Sequence, residues 1–195
     1  MTADPPTELP VISFESLDQW ERWLADNHAS SRGIWMRISK KHTTMASIDY
    51  AQALDGALCY GWIDGQKRRY DENSWLQKFT PRRARSGWSK VNTGHVERLT
   101  EAGRMQPAGL AQVEAAKRDG RWERAYPPPS TATLPEGFLR ELNKNKRAKA
   151  FFQTLNKTNT FAIAYRLTNA KKPETRERRT QELLAMLDRG EKLYP

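Results

Sequence analysis

Two runs of alternating side chains around a polar stretch constrain the fold of this chain more than any other feature. Side-chain character alternates along residues 62–69 and again along 75–79, and the segment between them, 70–74 (YDENS), is polar. A period of two is typical of a half-buried strand, so the pattern predicts a β-hairpin. In residues 80–89, Pro81 cannot donate to a ladder and three arginines disfavour burial, which predicts an exposed basic loop.

The residues before this hairpin predict further strands and helices. Residues 11–14 and 33–41 have the alternation of strands, and in the second one Trp35 falls on the more exposed side. Ser16 and Ser47 each stand where a hydroxyl caps the start of a helix with an apolar stripe. The first ninety residues therefore predict the order β-α-β-α-β-β. The fold class is α+β, with helices on one face of a mixed or antiparallel sheet.

The second half of the chain predicts only helices. Two helices follow the basic loop, and three consecutive prolines then lie within residues 121–133, which predicts a stiff spacer. Beyond the spacer, residues 134–195 contain four segments with helical spacing and predict a helical bundle. We therefore expect a flexible arm over residues 1–10 and an α+β domain over 11–120, followed by the spacer and the helical domain.

Composition predicts a folded protein of the cytoplasm. The hydrophobic content of 37% over 195 residues allows one domain or two small ones with a genuine core. No run of eighteen apolar residues is present, so we expect no transmembrane segment, and the first ten residues lack the pattern of a secretory signal. The single cysteine, Cys59, cannot form an internal disulfide, which agrees with a reducing compartment.

The stretch 57–92 holds the candidate site, because it combines three of the seven tryptophans with eight Lys or Arg and only three acids. Guanidinium groups grip phosphate or carboxylate in pairs, and aromatic faces beside them stack on a ring. We expect one pocket for an anionic small molecule or a phosphate-bearing ligand, lined by Trp62, Asp64, Arg68, Arg69, Trp75, Gln77, Arg82, Arg83, Trp88 and Lys90. Strand alternation predicts that Trp62, Asp64 and Arg68 share one face.

Three other interpretations of this stretch stay open. The tryptophans and charges are also explained by a core and a solvated face alone. An enzyme acting on an anionic substrate would use Asp64 as its base, although the neighbouring cations stabilise the carboxylate and weaken it as a base. The net charge of +10 and the sequence pI of about 9.9 fit nonspecific nucleic-acid binding, but no nucleic-acid motif accompanies them. We favour a noncatalytic binding protein.

The sequence contains no motif for binding a metal or a cofactor. The three histidines, His28, His42 and His95, have no spacing that would chelate a metal from one helix. Cys59 lies on the inward side of a predicted helix, where a free cysteine usually behaves as a small apolar side chain. No catalytic residue, metal or cofactor is therefore predicted.

Several motifs resemble the bacteriocin-protection family that is also called YdeI/OmpD-associated, or OmdA. The C-terminal ones are residues 170–179 (AKKPETRERR), the pair Phe151 and Phe152, and residues 190–195 (GEKLYP). The central ones are similar to longer members of the family, and they are residues 61–69 (GWIDGQKRR), 79–83 (FTPRR) and 88–92 (WSKVN).

This resemblance implies protection against bacteriocins or cationic antimicrobial peptides, and an association with an outer-membrane porin. A porin partner requires export, and the sequence shows no signal peptide, so we do not expect this association to transfer. A chain with a net charge of +10 also repels a cationic peptide, which disfavours direct sequestration. Protection would then act indirectly, through an anionic ligand or a stress response. The resemblance implies no catalytic residues.

Overall fold

Four strands and eight helices form the parts of the chain that the computed structural model describes, residues 9–170 and 172–195. The strands are β1 (Val11–Ser13), β2 (Ile34–Ser39), β3 (Trp62–Arg69) and β4 (Ser74–Pro81). The helices are α1 (Leu17–Asn27), α2 (Tyr50–Cys59), α3 (Lys90–Glu101), α4 (Pro107–Arg118), α5 (Glu136–Lys144), α6 (Lys146–Phe152), α7 (Lys157–Thr168) and α8 (Pro173–Asp188). Most of the predicted arm, residues 1–8, lies outside the described residues.

The strands form one mixed sheet in the order β1-β2-β4-β3. β1 and β2 are parallel, whereas β4 is antiparallel to both of its neighbours. β3 and β4 are the predicted hairpin, and the order β-α-β-α-β-β over the first half confirms the α+β class. The chain divides into two compact units between Ala125 and Tyr126. We call them unit 1 and unit 2, and the domain boundaries expected from the sequence stay a proposal.

The core of unit 1 is aromatic because the tryptophans of α1 pack on the sheet. Ser16 caps α1 by accepting a hydrogen bond from the Gln19 amide, 3.3 Å away. Trp20 and Leu24 are completely buried, and the Trp20 indole donates to the carbonyl of Ala53 in α2, at 3.0 Å. α2 approaches α1 closely at Gly56, where any Cβ would lie 2.7 Å from the Trp20 ring. The indole hydrogen bond and this close approach hold α1 and α2 together over the sheet.

Local capping differs from the prediction at the start of α2. Asp49 is the N-cap instead of Ser47, and it forms a reciprocal capping box with Gln52. The Ser47 hydroxyl instead accepts a hydrogen bond from the Ser39 amide, 2.9 Å away, at the end of β2. Ser47 thus fastens the 40–49 loop to the sheet. α2 ends at Tyr60, and Gly61 follows with a φ of 75°, a value suited to glycine.

The loop after β4 is not fully exposed as predicted. Arg82 is 6% exposed and Trp88 is 2% exposed, so both are buried, whereas Arg83 and Arg85 are exposed. Burial of the guanidinium is possible because its Cζ lies 3.5 Å from the centroid of the Trp88 ring and its Nη1 donates to the carbonyl of Gly87. The Trp88 ring also packs against Trp122 with centroids 5.0 Å apart.

Unit 2 is built from the four predicted helices, α5 to α8. Its core contains Phe138, Leu142, Ile163, Leu167 and Leu187, each at most 3% exposed. The buried Asn159 side chain ties α7 to the end of the chain, since it donates to the Tyr194 carbonyl and accepts from the Tyr194 amide. In the described part of the chain no helix is long and apolar enough to cross a membrane.

Candidate anion-binding site

A β-bulge in the hairpin decides which basic side chains can share a site. Asp64 pairs with Phe79 and Lys67 pairs with Gln77, so two residues of β3 stand opposite one residue of β4 between these pairs. The extra residue reverses the alternation beyond Asp64. Lys67 and Arg69 therefore lie on the face that carries Asp64, and Arg68 lies on the other face. The prediction that Arg68 shares a face with Trp62 and Asp64 is wrong for this reason.

The side-chain amide of Gln77 donates hydrogen bonds to the backbone of the bulge. Its Nε2 lies 2.9 Å from the carbonyl oxygen of Gly65 and 3.3 Å from that of Gln66, the two residues inside the bulge. Nε2 also lies 3.3 Å from the carbonyl of Lys78. The side chain is only 4% exposed, so its donors are committed to the backbone. Gln77 thus has a structural contact where a ligand contact was predicted.

The bulge brings Arg69 into one row with Trp75 and Ile38, since Trp75 of β4 pairs with both of them. This row borders a cleft of about 890 Å³ at the turn end of the hairpin, which we call the hairpin cleft. Its walls come from the ends of β2, β3 and β4, from the 40–49 loop and from the first turn of α2. The lining residues are Ile38, Ser39, Lys40, Lys41, Thr43, Met45, Ser47, Ile48, Asp49, Tyr50, Ala51, Lys67, Arg68, Arg69 and Trp75.

The charged residues that line the hairpin cleft are mostly cationic, with five Lys or Arg against one Asp. Within the described residues, Lys41, Lys67 and Arg69 form no ion pair with a carboxylate. Lys40 donates to the carbonyls of residues 71 and 72, both 2.9 Å from its Nζ, and so holds the hairpin turn. The lining carboxylate, Asp49, is engaged in the capping box of α2. The cleft therefore favours an anion.

Tyr50 connects the cleft to Asp64. Its hydroxyl donates to the Asp64 carboxylate over 2.8 Å. Burial, followed by the nearby charge of Asp64, raises the pKa of Tyr50 well above its ordinary value. The phenol consequently stays protonated and keeps donating to the carboxylate, which fixes the position of the Tyr50 ring at the mouth of the cleft.

The remaining predicted site residues lie elsewhere in unit 1. Trp62 is 1% exposed and packs edge-on against Trp20 in the core. Arg68 contributes to the cleft wall, but its guanidinium carbon lies 3.9 Å from the centroid of the Trp35 ring, on the other face of the sheet.

Four predicted residues come from the segment after β4, and the structure does not bring them into the hairpin cleft. Arg82 and Trp88 are buried against each other, as described above. Arg83 is exposed in the loop, and Lys90 is exposed at the first position of α3. Of the ten predicted residues, the cleft lining includes Arg68, Arg69 and Trp75.

Sequence reasoning missed Lys41, Tyr50 and the 40–49 loop as parts of the site. The loop and Tyr50 reach the hairpin through tertiary contacts between residues that lie from 14 apart in sequence, as in Tyr50 and Asp64, to 32 apart, as in Lys40 and Glu72. The local signal was the run Lys40-Lys41 at the end of the predicted strand 33–41, which places two cations where the chain leaves the sheet.

Metal and thiol chemistry find no support in the described residues. Among them, no group of three His, Cys, Asp or Glu side chains is close enough to hold a metal ion. Cys59 is 1% exposed at the end of α2, and burial raises the pKa of its thiol to about 11, so the thiolate is rare at neutral pH.

Family models match two segments of the chain. The model described as "Domain of unknown function (DUF8412)" matches residues 12–112, which include the hairpin and its cleft. The model described as "Bacteriocin-protection, YdeI or OmpD-Associated" (OmdA) matches residues 131–190, including the motif at 170–179 that carried the resemblance. The central motifs fall in the segment matched by the first model.

Neither the curated proteins nor the solved structures give a significant match. The model over 12–112 covers more than half of the chain, and the second one supports the family expected from the sequence. Across residues 12–112 the chain therefore belongs to the DUF8412 domain family, and its residues 131–190 match the model of the bacteriocin-protection, YdeI or OmpD-associated family.

Proposed function

We propose that the protein is a noncatalytic binding protein whose unit 1 takes up an anionic small molecule in the hairpin cleft. The observation that carries this proposal is that Lys41, Lys67 and Arg69 line one cleft, while no carboxylate in the part of the chain that the structure describes forms an ion pair with any of them. A hydrogen bond to a charged partner contributes more to binding than a neutral one, and arginine can grip a phosphate or carboxylate with two parallel bonds. Arg69 is therefore the principal anion contact.

The test is calorimetric titration of the full chain with ribose 5-phosphate. Arg69→Ala is expected to weaken binding about tenfold or more, because one charge-assisted contact contributes about 1.5–3 kcal/mol. Arg83→Ala is the matched control, since it removes the same charge from an exposed loop residue outside the cleft. Equal weakening by both variants would contradict the proposal, and so would a wild type that binds neither ribose 5-phosphate nor a small carboxylate such as indole-3-acetate.

Salt dependence separates this proposal from nonspecific nucleic-acid binding. A polyanion that displaces counterions along a basic surface loses affinity steeply as salt rises. Ribose 5-phosphate in a partly enclosed cleft is expected to lose less affinity between 50 and 200 mM salt, conditions that we choose for the assay. If a short single-stranded RNA binds more tightly than ribose 5-phosphate and Arg69→Ala leaves its affinity unchanged, unit 1 is a basic surface and the cleft has no special role.

Within this proposal, Asp64 orients Tyr50 and is not a catalytic base. The support is the 2.8 Å hydrogen bond from the Tyr50 hydroxyl to the Asp64 carboxylate. Asp64→Asn keeps an oxygen acceptor for that hydroxyl, so binding of ribose 5-phosphate is expected to change by less than about threefold, the usual range for a substitution away from a buried contact.

A role in protection is proposed from the family matched at residues 131–190, whose description names bacteriocin protection. Because the chain carries a net charge of +10, we propose that protection follows from ligand binding and not from capture of a cationic peptide. Cells that lack the gene are expected to survive bacteriocin treatment less well, and the wild-type gene should restore survival better than the Arg69→Ala variant. Equal survival with and without the gene would remove this role.

A further inference from the structure

The hairpin cleft is larger and more apolar than a bare anion requires. Its volume of about 890 Å³ lies in the range of clefts that bury a whole organic ligand, about 300–1,000 Å³. Ile38 and Ile48, which both line it, are 3% exposed and form an apolar floor. An inorganic ion would use the cations and leave this floor without a partner. The occupant should therefore carry an apolar body as well as a charge.

Two aromatic rings give this apolar side of the cleft a shape. Tyr50 and Trp75 have ring centroids 6.2 Å apart and an angle of 44° between their planes. Tyr50 is 38% exposed, and Trp75 is half-buried. The positions of both rings are fixed by other contacts. Tyr50 is held by its hydrogen bond to Asp64, and Trp75 lies on a strand that is paired on both sides. A rigid aromatic corner of this kind suits a planar group.

The ammonium group of Lys67 lies over the Trp75 ring. The Lys67 Nζ lies 4.1 Å from its centroid, and Lys67 also lines the cleft. Lys67 is exposed, and a cation–π contact at the protein surface is weak, so its ammonium group can exchange this contact for a direct contact with an anion. The same movement would uncover the ring face. For a ligand that combines a ring with a negative charge, movement of Lys67 would therefore both expose the Trp75 face to the ring and provide a cation for the charge.

We infer that the ligand of the hairpin cleft is a planar aromatic anion. Its ring packs in the corner of Trp75 and Tyr50, and its phosphate or carboxylate is held by Arg69, Lys67 and Lys41. This inference rests on the proposed anion binding and adds the class of molecule that is bound. Stacking of a base on an aromatic side chain is strong enough to dominate selectivity among ligands of equal charge.

The experiment compares probes that share the anionic group and differ in the ring. Adenosine 5′-monophosphate is titrated against ribose 5-phosphate, and indole-3-acetate against acetate, which distinguishes a phosphate from a carboxylate ligand. In at least one pair the aromatic probe is expected to bind about tenfold tighter or more. If ribose 5-phosphate binds and neither ring adds affinity, the inference fails while the proposed anion binding stands. If no probe binds, the proposed function itself fails.

Variants of Trp75 assign the effect to the aromatic corner. Trp75→Leu should lower the affinity for the aromatic probe more than the affinity for ribose 5-phosphate, so that the ratio of the two falls about tenfold, whereas Trp75→Phe should keep most of this ratio because a ring remains. The Phe variant also serves if the Leu variant does not fold. An aromatic advantage that survives in the Leu variant, or that is lost equally in both, would overturn the assignment to Trp75.

Discussion

Replacing Gln77 by methionine tests whether one amide group holds the bulge that forms the site. Methionine keeps the length and most of the volume of the side chain but removes the donor that faces the carbonyls of Gly65, Gln66 and Lys78. Each intramolecular hydrogen bond contributes about 0.5–1.5 kcal/mol net. Gly65 and Gln66 are exposed, so water can replace part of the loss. We expect the free energy of unfolding of unit 1 to fall by about 1–2 kcal/mol.

The assay for this loss is urea unfolding followed by tryptophan fluorescence. All seven tryptophans lie between residues 20 and 122, so the signal reports on unit 1 alone. With a slope of about 2 kcal/mol per molar urea, the midpoint should fall by about 0.5–1 M. Binding of ribose 5-phosphate should weaken as well, because the bulge sets the face on which Lys67 and Arg69 lie.

Gln66→Met is the matched control for Gln77→Met. It makes the same chemical change at an exposed position of the same hairpin, where the side chain forms no hydrogen bond within the described residues. Its free energy of unfolding should stay within about 0.5 kcal/mol of the wild type, which is a midpoint shift of at most about 0.25 M urea. An unchanged midpoint in Gln77→Met, or an equal shift in both variants, would refute the role of the Gln77 amide.

Two further predictions concern unit 1 and use the same fluorescence assay. Gly109→Ala should destabilise unit 1 by about 1–3 kcal/mol, because its Cβ would lie 2.2 Å from the Cys59 carbonyl oxygen, whereas Gly94→Ala, with no atom within 4 Å, should stabilise it by about 0.5–1 kcal/mol. The opposite order would contradict the packing of α4 on α2. The raised pKa of Tyr50 predicts that stability falls as pH rises above about 10, since the unfolded phenol loses its proton first, and that Tyr50→Phe flattens this fall. Parallel pH profiles of wild type and Tyr50→Phe would refute the shift.

Elements with strong local signals were predictable from the sequence. The hairpin strands and the four helices of unit 2 were expected near their observed positions, because each has periodic apolar residues and clear boundary residues. Gly61, which follows α2 with a φ of 75°, is a boundary residue of this kind, since glycine readily adopts the left-handed conformation after a helix.

The bulge was not predicted because the side-chain character alternates regularly along residues 62–69. Nothing in this alternation shows where an extra residue interrupts the strand pairing. Its one local signal was Gly65, since a glycine inside a strand often marks a bulge. Missing that signal placed Arg68 on the wrong face and made Gln77 a ligand residue. The cleft was missed for a different reason, because Lys41 and Tyr50 meet the hairpin only through tertiary contacts that the local pattern does not encode.

Burial of charged and aromatic residues was the third kind of error. Arg82 was expected in solvent because charge runs usually are, but a guanidinium stacked on an indole loses little on burial. This pairing needs Trp88, six residues away, to fold back over the arginine, and no periodicity in the loop predicts that geometry.

Trp35 was expected on the wetter face of the sheet, and it is 4% exposed there. The guanidinium of Arg68 and the ammonium of Lys78, 3.9 and 5.8 Å from its ring centroid, cover it. Arg68 and Lys78 thereby cover an aromatic ring that would otherwise add to the exposed apolar surface of the sheet. Because these charges are already engaged in contacts with Trp35, the net charge overstates the number of cations that are free to attract an external polyanion.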